Sequence, residues 1–378
     1  MSTHQMLEYI REEPLAVANT IRIARERIGD LQDLISRRPP KRVVFTGFGS
    51  SYTAACMAAP LLGECISVPV TVAVATELVA NPGLRLDKDT LVVLVSRSGE
   101  RGWLVDAEKA ASQAGAATVA VTAVESSLLA REANLVIPTG EGPEAAFAKT
   151  KSVLASAVAL MQIGLAFAEP SPARARRENV LAAIPDLLET CIKNAERSAA
   201  EIVPWLVTCD HALLVGSAGN FGVAQEAALK LQEASGTTAQ YDNTGNALHG
   251  ALGVIGPRWA FVALVTPNDY TLDLELLRLI GQFGAERLCI SEPGLDVGAD
   301  TERLLLVPAV DDPLLAPLVY LPPLQILTYL LAVARGLNPD KPASAEIMLK
   351  AMLPAGREEP DWAARGTSGR ITGTQVMR

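Results

Sequence analysis

VVFTGFGSSY at residues 43–52 and ALLVGSAGNF at residues 212–221 decide how this chain is read. Each begins with a short apolar run that ends in glycine. Each continues through a small, polar turn into an alanine-rich stretch of helical character, at 52–62 and at 221–232. The displacement is 169 residues (43 against 212). The same displacement carries LVVLV (91–95) onto AFVAL (260–264) and TVAVT (118–122) onto RLCIS (287–291), and LVIP (135–138) falls on LLVP (305–308) within one residue. Four strand-like segments recurring at one spacing identify an internal repeat of domain size.

The matched runs are continuous rather than alternating, as expected of strands covered on both faces. Helix-length spacers at 103–114 and 270–283 separate them. Strand–helix–strand alternation implies parallel sheets with right-handed crossovers. The expected architecture is therefore α/β, with two tandem doubly wound domains at residues 35–168 and 200–338. A helical segment precedes them (1–34), a linker and helix join them (169–199), and a tail follows (339–378). From Pro354 onward the tail is rich in Gly, Arg and Thr and is expected to lie on the surface.

Composition narrows the function classes. In 378 residues, 49% are hydrophobic and 20% charged, so the chain can bury sizeable cores and is not disordered. A net charge of −9 argues against nucleic acid or an anionic membrane as partner, while leaving room for one local basic pocket. Three histidines and five cysteines occur without metal-ligand spacing, so no metal is expected, and the cysteines read as free thiols of a reducing cytoplasm. Glu8, Arg11, Glu12 and Glu13 interrupt any signal-peptide core at the N-terminus. The apolar stretch 314–334 contains Pro317, Pro322 and Pro323, which favours a buried, broken helix over a membrane span. The localisation read from these features is cytoplasmic.

In an open parallel sheet, ligands bind beyond the carboxyl ends of the strands. Two turns there have unusual content: GFGSS (47–51), with Gly49, Ser50 and Ser51, and SRSGE (96–100), with Ser96, Arg97 and Ser98, followed by Arg101. Glycine lets a ligand approach the backbone, and hydroxyls with exposed N–H groups at a helix start suit a phosphate. Tyr52 stands where a dinucleotide fingerprint needs its third glycine, and no P-loop occurs. One serine-rich turn would be an ordinary helix cap; two on neighbouring strand ends suggest a phosphate cradle. The equivalent turns of the second half, SAGN (217–220) and VTP (265–267), lack that character.

The second half instead carries titratable groups. Glu226, Lys230 and Glu233 recur on one helix face at i, i+4 and i+7. Periodicity alone favours a solvated, salt-bridged stripe for them. His249, in the polar loop NTGNALHG (243–250), is the better-placed carrier of a proton near neutral pH. His211 opens a strand and reads as structural.

The motifs GFGSSY (47–52), ELVANP (77–82), VSRSGE (95–100), GPEAAFAKTKS (142–152), EAALKLQE (226–233), ALHGAL (247–252) and NPDKPAS (338–344) resemble those of the sugar isomerase (SIS) domain family. The likeness covers roughly residues 40–345. It is to the isomerase lobe of glucosamine-6-phosphate synthase and to bacterial galactosamine-6-phosphate deaminase/isomerases. That resemblance implies a sugar phosphate held by Ser50, Ser51, Ser96 and Ser98. It implies Glu233 as the base moving a proton between C1 and C2, Lys230 as its assistant and His249 as the ring-opening group, supplied across a homodimer. No cofactor is implied. The chain departs from the family at three places. Ile347 stands where the synthase lobe has its Schiff-base lysine, with Lys350 three residues on. Arg101 replaces the usual threonine, and Lys149 replaces a small residue of what reads as a helix after GPE. The activity expected is an aldose–ketose isomerase or isomerising deaminase on a hexosamine 6-phosphate. The alternatives are a deglycase for fructosamine 6-phosphates, suggested by Arg101 and Lys149, and a non-catalytic phosphosugar-binding regulator.

Overall fold

The computed structural model describes residues 4–81, 84–100 and 102–352. Two parallel five-stranded sheets organise the chain. The first contains β1 (Arg42–Gly47), β2 (Val70–Val74), β3 (Thr90–Val95), β4 (Ala117–Thr122) and β5 (Leu135–Pro138), in the order β2-β1-β3-β4-β5. The second contains β6 (His211–Val215), β7 (Thr238–Asp242), β8 (Trp259–Val265), β9 (Glu286–Ser291) and β10 (Arg303–Leu306), in the order β7-β6-β8-β9-β10. The two orders are the same, so the sequence repeat is a repeat of topology. β2 and β7 are a fifth matched pair that the apolar runs did not reveal.

The helices are α1 (Gln5–Arg11), α2 (Glu13–Arg37), α3 (Ser50–Cys65), α4 (Ala75–Ala80), α5 (Gly102–Gln113), α6 (Leu128–Glu132) and α7 (Lys151–Phe167). They continue with α8 (Pro172–Thr208), α9 (Gly219–Lys230), α10 (Thr244–Ala247), α11 (Tyr270–Gln282), α12 (Pro317–Ala334) and α13 (Ala345–Met352). Three apolar clusters give the layering. The largest joins one face of each sheet, through Phe45 and Val93 and through Leu214 and Val262, to α2, α3, α7, α8, α9 and α12 between them. Val44 and Val92, on the opposite face of the first sheet, pack under α4 and α5. Leu213 and Phe261, on the opposite face of the second, pack under α11. Alternate residues of each run thus enter different cores, which is why the runs read as continuous.

Two expectations change. The linker and helix expected at residues 169–199 are one long helix that continues past 200: α8 begins at Pro172 and runs unbroken to Thr208, with Pro185 and Pro204 inside it. α12 is buried as expected but continuous, although Pro322 and Pro323 lie within it. Pro323 has no N–H for the carbonyl of Val319, and the Cys191 thiol donates to that oxygen at 3.1 Å. The helix is long and apolar enough to cross a bilayer, yet 83% of that window is buried inside the fold.

Candidate active site

β1 and β3 are paired in register, Thr46 with Leu94, so the two hydroxyl-bearing turns leave the same edge of one sheet side by side. In the first turn Gly49 caps α3 with φ 51° and ψ −126°. Its counterpart one repeat later, Ala218, caps α9 with φ 48° and ψ −126°. A non-glycine residue in this region is strained by roughly 1–3 kcal/mol. In the second turn Ser96 Oγ accepts from Gly99 N at 3.1 Å and Ser98 Oγ from Glu100 N at 3.5 Å, and both serines are buried. Ser51 is half-buried at the first turn of α3.

The α3 and α9 helices cross at close quarters. A Cβ on Gly222 of α9 would lie 2.8 Å from the Cys56 carbonyl carbon and 2.9 Å from Met57 Cα in α3. This close approach brings the first turn onto the charged face of α9. Ser50 Oγ donates to Glu226 Oε1 at 3.0 Å and accepts from Lys230 Nζ at 3.2 Å. Thr53 Oγ1 donates to Glu226 Oε2 at 2.5 Å. Lys230 pairs with Glu226 Oε1 at 3.4 Å and also with Glu233. The stripe is therefore not solvated: Glu226 and Lys230 are buried, and only Glu233 keeps part of its surface. Burial would pull the Lys230 ammonium down, but Glu226 and Glu233 outweigh it and hold the group charged, above its ordinary range. The last turn of this helical run, Leu231–Ser235, is a π-helix, and it carries Glu233. Such turns recur at functional sites.

The third contribution comes from the loop between β5 and α7. No helix follows GPE: α7 starts only at Lys151, and residues 139–150 form an irregular loop. Gly140 N donates to Thr20 Oγ1 of α2 at 2.9 Å, Ala145 N to Tyr9 Oη of α1 at 3.2 Å, and Phe147 N to the Asp340 carbonyl at 2.9 Å. The N-terminal helices and the segment before α13 therefore hold this loop. Glu144 is locked within it by Thr150 N (2.7 Å), Thr150 Oγ1 (2.9 Å) and Ser152 Oγ (2.5 Å). Arg97 Nε lies 3.9 Å from Glu144 and 4.0 Å from Glu141. Burial opposes ionisation of Glu144, but Lys149, Ser152 and Arg97 prevail and keep it below the usual carboxylate range. Glu141, with less help, is pushed up by burial to about 7. Lys149 Nζ donates to the carbonyls of Glu144 (3.1 Å) and Ala146 (2.6 Å). Burial lowers it to about 8, with Arg97 and Lys230 pushing the same way and Glu144 and Glu233 opposing.

Ser50, Lys230 and Glu233 are thus linked at the junction of the two sheets, and Arg97 and Lys149 gather around Glu144 of the loop, with Ser96 and Ser98 in the turn that carries Arg97. His249 does not join them within the chain. It lies on an exposed loop past α10, and among the described residues no hydrogen bond or ion pair links its side chain to Lys230 or Glu233. Arg101 and the tail beyond residue 352 lie outside the described residues, as does the side chain of Lys350, whose backbone falls on α13. Sequence reasoning missed Thr53, Glu141 and the service of Glu144 as the anchor of Arg97 and Lys149. The GPE triplet was a signal for Glu144; nothing in local pattern marks the other two.

Residues 38–166 match the SIS domain family. Over 90% of its length the chain is 31% identical to the isomerizing glutamine–fructose-6-phosphate aminotransferase of Methanothermobacter thermautotrophicus, of which it covers 56%. It therefore spans little more than half the length of the curated relatives it matches. Among solved structures, the C-terminal domain of glucosamine-fructose-6-phosphate aminotransferase from Francisella tularensis superimposes with a TM-score of 0.82 at 26% identity, covering 90% of this chain and 99% of that one. Glucosamine-6-phosphate deaminase from Thermotoga maritima shares the fold, with a TM-score of 0.73 at 22% identity, covering 90% of this chain and 97% of that one.

Proposed function

We propose that the chain is a phosphosugar aldose–ketose isomerase, or an isomerising deaminase, acting on a hexosamine 6-phosphate. The observation that carries this reading is the contact of Ser50 with Lys230, which itself pairs with Glu233, beside the second hydroxyl turn. A phosphate held by Ser50, Ser51, Ser96 and Ser98, with Arg97 near, leaves the sugar carbons to extend toward Glu233. The Glu233 carboxylate takes the proton from C2 of the open-chain aldose and returns it to C1. Charged Lys230 fixes the carboxylate and stabilises the enediolate oxygens. The exposed position of His249, flanked by exposed Leu248 and Val254, supports ring opening by the histidine of a second copy in a homodimer. The names of the relatives, which act on fructose 6-phosphate and glucosamine 6-phosphate, support the substrate class. The deglycase reading draws on Lys149, which donates to the carbonyls of Glu144 and Ala146 in its own loop.

The test is exchange of the C1/C2 proton of fructose 6-phosphate and glucosamine 6-phosphate in deuterated water, followed by NMR. Glu233→Gln should lower exchange by about 10²–10⁴-fold while a thermal shift by the same sugars persists. Undiminished exchange in Glu233→Gln overturns the assignment.

A further inference from the structure

We propose that the second sheet carries a binding site of its own, at the carboxyl ends of β6 and β8, for a small hydroxylated primary ammonium, an unphosphorylated amino sugar. The chain lays β7 on one side of β6 and β8 on the other, and a parallel sheet offers its ligand crevice at such a switch of direction. The turn after β6 keeps the shape of the first hydroxyl turn, with Ala218 repeating the backbone angles of Gly49. Asn220, 169 positions after Ser51, takes the place of that serine. A Cβ on Gly216 would lie 3.1 Å from Asn220 Cβ, as one on Gly47 would lie 2.9 Å from Ser51 Cβ. Asn220 is 2% exposed, and among the described residues neither its Oδ1 nor its Nδ2 has a hydrogen-bond partner. A buried amide without partners is costly, and a ligand hydroxyl, donor and acceptor at once, would satisfy it.

The charge comes from the helix after β8. Asp273, in the first turn of α11, is 3% exposed. Its Oδ1 accepts from Thr244 Oγ1 at 2.9 Å, while Oδ2 has no hydrogen-bond partner among the described residues. Ser217 Oγ donates to Thr244 Oγ1 at 3.3 Å, which ties the turn after β6 to this carboxyl. Burial, reinforced by Asp269, pushes the Asp273 carboxyl up to about 7. Residues 216–220, 242–247, 265–273 and 291–292, which form this end of the sheet, contain no lysine or arginine, whereas the first sheet has Arg97 there. Asp273 and Asp269 therefore repel a phosphate. An ammonium donating to Oδ2 would supply the missing cation, leaving the hydroxyls of the same ligand for Asn220 and half-buried Ser217.

The experiment is calorimetric titration of the full-length protein with glucosamine, with and without excess fructose 6-phosphate, and with glucose as the ligand that lacks the ammonium. Saturable binding of glucosamine at a single site, unaffected by fructose 6-phosphate and at least about tenfold tighter than that of glucose, supports the site. Asp273→Asn should abolish the preference for glucosamine over glucose, and Asn220→Ala should weaken both sugars. No saturable glucosamine binding, a smaller preference over glucose, displacement by fructose 6-phosphate, or a preference that survives Asp273→Asn overturns the inference. The proposed function stands in each of those cases, since it uses none of these residues. The wild-type comparison of the two sugars decides the matter even if a variant folds poorly.

Discussion

Ser50 and Lys230 are 180 positions apart in the chain, yet the lysine ammonium donates to the serine hydroxyl at 3.2 Å. One hydrogen bond therefore joins the turn after the first strand of one sheet to the helix after the first strand of the other. The same hydroxyl donates to Glu226, which makes Ser50 the hinge of a buried network rather than a simple helix cap. Glu226→Ala should be strongly destabilising, by about 3–5 kcal/mol, because it leaves Lys230 buried with one carboxylate fewer. Glu226→Gln keeps an acceptor for Ser50 and Thr53 and should cost less. Urea denaturation of both variants checks the order. A Glu226→Ala protein as stable as wild type would show that the network is not what holds the two halves together here.

The close crossing of α3 and α9 is set by Gly222. A methyl group there meets backbone atoms of Cys56 and Met57, which cannot swing aside as a side-chain tip would. Gly222→Ala should force the helices apart, lower stability by about 1–3 kcal/mol and weaken catalysis more than sugar binding. The reason is that the displacement separates Ser50 from Lys230 while leaving each hydroxyl-bearing turn intact. Parallel measurement of kcat and KM separates this outcome from a general loss of folded protein.

The two glycine turns should respond differently to the same substitution. Gly49 shares its backbone conformation with Ala218, and its Cβ would meet only Leu229 Cδ2 at 3.9 Å. Gly49→Ala is expected to cost about 1–3 kcal/mol in strain and to retain phosphosugar binding. Gly99, at φ 65°, has no such room: its Cβ would land on the Ser127 hydroxyl and lie 3.3 Å from Thr122 Oγ1. Gly99→Ala should displace the Ser96–Ser98 turn and abolish a thermal shift by glucosamine 6-phosphate, with far-ultraviolet circular dichroism unchanged. Equal binding by the two variants would count against the second turn as a phosphate cradle.

Much of this arrangement was legible before any coordinates, for identifiable physical reasons. β1, β3 and β4 are buried along most of their length, as are their counterparts, so their apolar runs are continuous and the repeat stands out. β2 and β7 escaped, although the other edge strands β5 and β10 did not, because their residues do not form matching apolar runs. Val70–Val74 is mostly half-exposed, and Thr238–Asp242 is polar enough to have no apolar run at all. That Glu226, Lys230 and Glu233 share one helix face was legible, but their burial was not. Glu226, Lys230 and Glu233 have the spacing of a solvated stripe, and only the packing of α3 against α9 turns that stripe inward. The loop holding Lys149 could not be read either. Its shape depends on Tyr9, Thr20 and Asp340, more than a hundred residues away in sequence.

Glu141 supplies a prediction about pH. Its carboxyl is buried, held at about 7 against an ordinary value of 4.5, with Arg97 no nearer than 4.0 Å. Because the folded-state value is raised, the native protein binds more protons at this position than the unfolded chain between pH 4.5 and 7. The stabilisation it brings is complete below about 4.5 and is lost as pH rises through about 7. Glu141→Gln removes that dependence. The variant should gain little at pH 5 and most at pH 8, with an upper bound of roughly 3 kcal/mol. Chemical denaturation of both proteins across this range measures the difference directly. A gain that is the same at pH 5 and pH 8 would mean that the Glu141 carboxyl is ionised throughout, with Arg97 closing the gap to pair with it.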